Sequence, residues 1–391
     1  MADFFDHNAS TPPAPSVIKI VGRTMQEHYA NPSSVDHVAG SLASSVVSRA
    51  RETIATGLSV RPAEIIFTSG ATEANGLAIR GAFEEMAKQG RRKIISASTE
   101  HPSVLMTLKS LECRGADVTI LPVNADGLID LQELENTLED STALVTIMAA
   151  NNETGVLQPL SEIGEICAKS DVMFHSDITQ LVGYAPVNLE SLGVHLASFS
   201  AHKMYGPKGV GALFAKARRP RARIAVQQTG GGQEKGLRSG TLNTEGIAGF
   251  GEAFRVRDQN LKNLKKLSAL RDLLQDRLLA LPDTVLNGHA DYRLPHTLNI
   301  SIEGVDPHAL QFALRDKVIF STSSACSTQK VETSSVLTAM FGEGERAKAG
   351  FRVGLGFGTT NEQVERAARA FEGAISQLRS GSLGWKAPVA S

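Results

Sequence analysis

The sequence predicts an α/β fold: a mostly parallel, seven-stranded sheet flanked by helices, followed by a smaller α/β C-terminal domain. Three observations predict it. Between residues 60 and 215, seven short apolar runs alternate with helical stretches. Several of those runs are apolar almost throughout, as strands covered on both faces are. Near residue 250 the texture changes to a charged, leucine-spaced helix.

The strand candidates are Ile65–Thr68, Lys93–Ala97, Val118–Val123, Ala143–Met148, Val172–His175, Leu196–Ser200 and Val210–Phe214. A helix over 71–89 places Leu77, Ile79, Ala82, Phe83 and Met86 inward and stops at Gly90; another covers 161–169. Repeated β-α-β units of this kind give a parallel sheet with helices on both faces. Beyond it, 260–281 reads as one amphipathic helix carrying Leu261, Leu264, Leu267, Leu270, Leu274 and Leu278, ended by Pro282. Then come HTLNISI, a polar segment around 321–334, a last helix near 361–379 and a tail. The expected division is a large domain over 16–259 and a small one built from 1–15 with 260–391.

The chain has 391 residues, 42% of them apolar, and 40 basic against 41 acidic side chains, a net charge of −1. Nothing in that balance calls for nucleic acid or a membrane surface as the main ligand. No apolar run approaches the roughly 20 residues of a spanning helix, and the N-terminus lacks a signal-peptide core. A cytoplasmic protein is expected. Cys113, Cys167 and Cys326 are far apart and form no CxxC pair, so neither a disulfide framework nor a metal site is expected.

Ser69-Gly70-Ala71-Thr72 follows a strand and opens a helix. Such a turn offers unpaired N–H groups and a partial positive charge to a phosphate. Ordinary N-capping by Ser69 or Thr72 is the alternative. Asp177 and Lys203 each follow an apolar run and so fall at strand C-terminal ends, where open α/β folds hold ligands. Together they fit a Schiff-base lysine and a carboxylate that keeps a pyridinium protonated, the requirements of pyridoxal phosphate. A surface salt bridge would use the same two residues, and Lys208 is a rival amine. His101 follows another strand and is placed to stack on a ring or move a proton, unless it is structural. His202 could donate to a phosphate or simply pack. Cys326 sits among hydroxyl residues in an exposed-loop composition, which favours a reactive thiolate over Cys167, buried on its helix.

At this point FFDHNASTPPAPSV, NPSSVDHVAG, FTSGATEANGLAIRG, STEHPSV, NNETGVLQPL, HSDITQ, SAHKMYGPKGVGAL, RSGTLNTEGIAGFG and SSACST occur in order. Over residues 4–379 the chain resembles the NifS/IscS-like cysteine desulfurases, pyridoxal phosphate enzymes of the fold-type I aminotransferase superfamily. The resemblance implies that Lys203 carries the cofactor and Asp177 pairs with its ring nitrogen. It implies that Gln180 meets the ring oxygen and His101 stacks on the ring with a part in acid–base steps. Ala71, Thr72, Ser200 and His202 would bind the phosphate. Thr241 would reach the phosphate of a partner subunit, making the active site a property of a homodimer. Arg352 would clamp the substrate carboxylate, with Asn152, also a cofactor contact, and Asn31 beside it. Cys326 would take the sulfur of L-cysteine as a persulfide, leaving alanine, and pass it to an acceptor protein, a scaffold or a sulfurtransferase.

Three positions depart from the family pattern: Ser323 where a glycine is usual, Phe357 where an arginine is common, and His7 in Asp6-His7-Asn8. The basic run at 218–223 reads as a solvated loop or as a docking site for an acidic acceptor; it is too short for direct nucleic-acid binding. The functions open at this stage are desulfuration for iron–sulfur cluster assembly or tRNA thiolation, the same chemistry for DNA phosphorothioation, a selenocysteine lyase or aminotransferase, and a non-catalytic scaffold.

Overall fold

The structure, a computed structural model, describes residues 2–322 and 333–380. Cys326, Ser323 and the C-terminal tail lie outside the described residues. Eight strands precede residue 220: β1 (Asp3–Phe4), β2 (Ile65–Thr68), β3 (Lys93–Ala97), β4 (Asp117–Leu121), β5 (Thr142–Thr146), β6 (Met173–Asp177), β7 (Leu196–Ser200) and β8 (Gly211–Ala215). The last seven form the expected sheet, in the order β2-β8-β7-β6-β5-β3-β4. Neighbours among β3 to β7 run parallel, and β8 runs antiparallel to both of its neighbours.

Alternate side chains enter two apolar layers. On one face the helix Ala71–Ala87 packs Leu77, Ala78, Ala82 and Phe83 with Ile94, Leu144, Leu196 and Leu213. On the other, Ile95, Val145, Phe174 and Phe199 meet Phe250 and Phe254 of the helix Thr244–Asn260. A sheet covered on both faces buries its strands throughout; β2, β3, β5, β6 and β7 are buried at every residue, whereas β4, at an edge, is not.

A second sheet contains β9 (Thr284–Leu286), β10 (Thr297–Ile302), β12 (Ser321–Thr322) and β13 (Gly350–Gly354), all antiparallel, in the order β12-β13-β10-β9. Between β10 and β12 lies β11 (Val318–Ile319), which pairs in parallel with β1 and draws the N-terminus to this sheet. The single helix expected over 260–281 is instead a 3₁₀ turn, Leu261–Asn263, followed by the helix Leu264–Leu279. Asn260 and Asn263 flank the break; asparagine amides compete with the helix for backbone hydrogen bonds.

The open edge of β2 is closed by side chains. Phe67 N–H donates to Glu234 Oε2 (2.8 Å), and Ile65 C=O accepts from Arg51 Nη1 (2.6 Å). Arg51 and Glu234 also bond each other twice, at 2.6 and 2.8 Å, with the guanidinium 4.5 Å from the Phe67 ring centroid. A covered edge neither frays nor pairs with another chain. Glu234→Ala would strand Arg51 and the Phe67 N–H together. It is expected to cost about 3 kcal/mol, read as a lower unfolding temperature of the cofactor-loaded protein.

Candidate active site

The C-terminal ends of the parallel strands bring the predicted residues together. β6 ends on Asp177 itself, two residues beyond the strand the sequence predicts. β7 ends on Ser200 and turns through a 3₁₀ segment, Ala201–Lys203, which places the lysine over the same edge. Lys203 Nζ donates to the backbone carbonyls of Asn8 (2.6 Å) and Ala9 (2.8 Å). Asp177 is buried; Oδ1 accepts from Thr179 N–H (2.9 Å) and Oδ2 from Asn75 Nδ2 (2.7 Å). Gln180 is buried and meets the Asn8 backbone carbonyl through Nε2 (3.0 Å).

His101 caps the helix Pro102–Glu112, its Nδ1 accepting from Ser103 N–H at 3.1 Å and lying 2.8 Å from Ser103 Oγ. Burial holds the imidazole below its ordinary pKa, with Asp177 raising it and Lys203 lowering it, so all three belong to one electrostatic unit. Beneath Asp177, His175 is fully buried between Thr146 Oγ1 (2.8 Å) and Ser198 Oγ (2.9 Å), and burial pushes it down to about 4. Glu100 is also buried, with Oε1 on Met148 N–H (2.5 Å); burial drives its carboxyl well above the usual range.

The residues present fit pyridoxal phosphate. The helix Ala71–Ala87 starts at Gly70 with no side-chain cap, and Thr72 at its first turn is exposed. Ser200 Oγ lies beside Gly70, and His202 approaches Ser10 Oγ (Nδ1 at 3.3 Å) and is pushed down to about 4 by burial and by Lys203 and Lys208. An uncapped helix start ringed by hydroxyls is a cradle for a phosphate. A Cβ on Gly211 would come within 2.7 Å of the Gly70 backbone, so only glycine lets β8 support that turn. Asp177 offers a carboxylate to a ring nitrogen and Lys203 an amine to an aldehyde.

Arg352, on β13, is nearly buried. Nη1 donates to the Asn152 backbone carbonyl (2.8 Å), and Nη2 donates to Asp6 Oδ1 (2.8 Å) and Ser321 Oγ (3.1 Å), while Nε has no partner among the described residues. Asn152 thus reaches Arg352 through its main chain. Next to it, Glu153 accepts from Ser334 Oγ (2.5 Å), and burial raises its carboxyl to about 7 against the pull of Ser334 and Arg352. Asn31 is exposed and uses its own side chain to receive Ser33 N–H (2.9 Å). Thr241 is exposed, in a segment tied down by the Arg238–Glu73 pair (2.7 Å). Cys113 is exposed and Cys167 buried, its thiol pushed up to about 12. Among the described residues no cluster could hold a metal ion, and no helix is long and apolar enough to cross a membrane.

Sequence reasoning missed Asp6, Asn8, Asn75, Ser103, Glu100 and Glu153 as parts of this site. The motifs FFDHNAST, SGATEAN, STEHPS and NNETG contain all six, so adjacency to a recognised motif was the available signal. Two departures meet in one cluster: Tyr205 lies 6.2 Å from His7 and 6.1 Å from Phe357, whose ring stacks on Tyr184 at 5.4 Å.

Comparisons with known proteins identify the family and its fold. The family model described as aminotransferase class-V matches residues 3–367. A cysteine desulfurase IscS of Colwellia psychrerythraea is 42% identical over 386 residues, covering 98% of this chain and 95% of that protein. Among solved structures, a NifS-like protein superposes with a TM-score of 0.89 at 35% identity, over 96% of this chain and all of its own. DndA from Streptomyces lividans gives 0.76 at 34% identity, over 88% of this chain and 97% of its own.

Glu153 carries a pH dependence of stability. Its folded pKa of about 7 lies above the ordinary 4.5, so between those values the folded chain holds a proton the unfolded chain has released. Its contribution to stability therefore falls as pH rises through that window and is flat above it. Glu153→Gln should remove this part of the slope, measured by urea unfolding at a series of pH values.

Proposed function

The chain belongs to the class-V aminotransferases and, within them, to the cysteine desulfurases; from that premise we propose how its own residues do the work. It takes sulfur from L-cysteine, releases L-alanine and holds the sulfur as a persulfide on Cys326 for an acceptor protein. The observation that carries the reading is the meeting of Lys203, Asp177 and His101 at one strand edge, with Arg352 Nε left without a partner among the described residues.

When bound, pyridoxal phosphate supplies an aldehyde for the substrate amine and a protonated ring that draws electrons from the α-carbon. Asp177, fixed by Asn75 and Thr179, holds the ring nitrogen's proton. Ala71, Thr72, Ser200 and His202 hold the phosphate, Gln180 meets the ring oxygen, and Thr241 completes the cradle of a second subunit in a homodimer. Lys203 Nζ moves the α-proton. Arg352 orients the substrate by a fork of parallel hydrogen bonds to its carboxylate, with Asn152 and Asn31 alongside. The Cys326 thiolate forms an S–S bond to the substrate sulfur as the C–S bond breaks. The carbon keeps that electron pair and takes a proton, which leaves alanine.

The acceptor reading is supported by a cleft of about 1440 Å³ lined by Arg219, Arg221 and Arg223. Arg218 of the same run is already paired with Glu190 at 3.0 Å. These guanidiniums suit an acidic protein surface. Iron–sulfur assembly or tRNA thiolation in the cytoplasm is the preferred destination. DNA phosphorothioation is the second reading, favoured by His7, Ser323 and Phe357 and by the likeness to DndA.

Intact-mass and peptide mass spectrometry after anaerobic incubation with L-cysteine tests the central claim. One added sulfur on the Cys326 peptide, with alanine released, is expected. Cys326→Ser should keep the yellow cofactor and lose desulfuration; full activity in that variant overturns the assignment. Separately, Arg352→Lys replaces the fork with a point charge. It should raise KM for L-cysteine about tenfold or more, a loss of about 1.4 kcal/mol, with a smaller effect on kcat in steady-state assays.

A further inference from the structure

A chain of hydrogen bonds joins Asp177 to His101, and each bond has a defined direction. Asn75 is fully buried on the helix Ala71–Ala87. Its Nδ2 donates to Asp177 Oδ2 (2.7 Å) and to Ser103 Oγ (2.9 Å). An amide nitrogen cannot accept, so both bonds run outward from Asn75. Turning the amide over would set its oxygen against the Asp177 carboxylate, acceptor against acceptor. Ser103 Oγ therefore receives a hydrogen from Asn75 on one lone pair, and among the described residues the acceptor within reach of its own O–H is His101 Nδ1, 2.8 Å away. The Ser103 backbone N–H donates to that same nitrogen at 3.1 Å. With two donors aimed at Nδ1, the neutral ring carries its hydrogen on Nε2.

We propose that Asn75 and Ser103 are positioning residues that hold His101 as the neutral, Nε2-protonated imidazole above the cofactor site. Protonating Nδ1 would set its hydrogen against the Ser103 backbone N–H, which cannot turn away, and would require the Ser103 hydroxyl to rotate and accept. The surroundings act in the same sense. Burial disfavours the imidazolium most, Lys203 opposes it and Asp177 favours it. His175 and Glu100, both buried beside Asp177, are driven by burial toward their neutral forms. For the reaction, a consequence that rests on the desulfurase reading, proton movement falls to Lys203. His101 Nε2–H then acts as a hydrogen-bond donor to whatever lies over the ring. A neutral imidazole that gave up this hydrogen would become an imidazolate.

The test is ¹⁵N NMR of histidine-labelled, cofactor-loaded protein, with His101→Gln to assign the His101 signals. His101 should show an unprotonated Nδ1 and a protonated Nε2 between about pH 6 and 8.5. Ser103→Thr, which keeps the hydroxyl, should match the unaltered protein. Ser103→Ala, at a half-buried position, should raise the His101 protonation midpoint by about one unit, a tenfold change in the equilibrium. Asn75→Ala should move it the same way by freeing the Ser103 hydroxyl. If that buried variant does not fold, the Ser103 pair decides alone. A hydrogen on Nδ1 in the unaltered protein, or an unmoved midpoint in Ser103→Ala, overturns the proposal. No turnover is read, so an enzyme inactive toward L-cysteine would leave this result standing, and its failure would leave the desulfurase reading untouched.

Discussion

The site is held together by the N-terminal segment, residues 3–11, which bonds to both sheets and to the turn that carries Lys203. The Lys203 amine donates to the carbonyls of Asn8 and Ala9, 195 and 194 residues away in sequence. The short N-terminal stretch is thereby stretched between both sheets. β1 pairs with β11, Asp6 takes the guanidinium of Arg352, and Asn8 Nδ2 donates to Thr297 Oγ1 of β10 (2.8 Å). Thr11 then bonds the main chain of His202 through both its N–H and its Oγ1. One segment therefore sets how the amine in the turn after β7 and the guanidinium on β13 stand to each other. Two groups proposed to act on one small substrate need that kind of common support.

Burial decides which titratable groups at the site carry charge. Desolvation penalises the charged form, and only a near partner offsets it. Arg352 has Asp6 as a partner, whereas Glu100, His175 and His296 are enclosed and driven toward neutrality. Asp177 receives two hydrogen bonds from fixed donors, Asn75 Nδ2 and the Thr179 N–H.

Two of the three departures from the family pattern, His7 and Phe357, have a shared physical setting. The His7 ring lies where a Cβ on Gly356 would stand, 2.1 Å from Nε2, so a glycine there is what admits the histidine. Phe357 N–H donates to Tyr205 Oη (2.9 Å), and its ring stacks on Tyr184, which stacks in turn on His296 at 3.4 Å. An arginine at 357 would bring charge to an apolar stack. His7 and Phe357 therefore belong to one packing solution rather than two separate changes.

The seven strands of the large sheet were legible in the sequence because the signal is local. An apolar run bounded by turns reads as a buried strand whatever lies beside it, and all seven candidates became strands. Lys203 and Asp177 were legible for a related reason, since a polar residue just after such a run falls at a strand end. The broken helix at 261–263 was not legible, because leucine spacing continues through the break. Nor were Asp6, Asn75, Ser103 and Glu153. Their roles depend on partners 346, 102, 28 and 181 residues away in sequence. A polar side chain's function is set by the donor or acceptor that faces it and by the water excluded around it. Local sequence determines which strands exist and which residues stand at their ends; only packing decides what those residues meet.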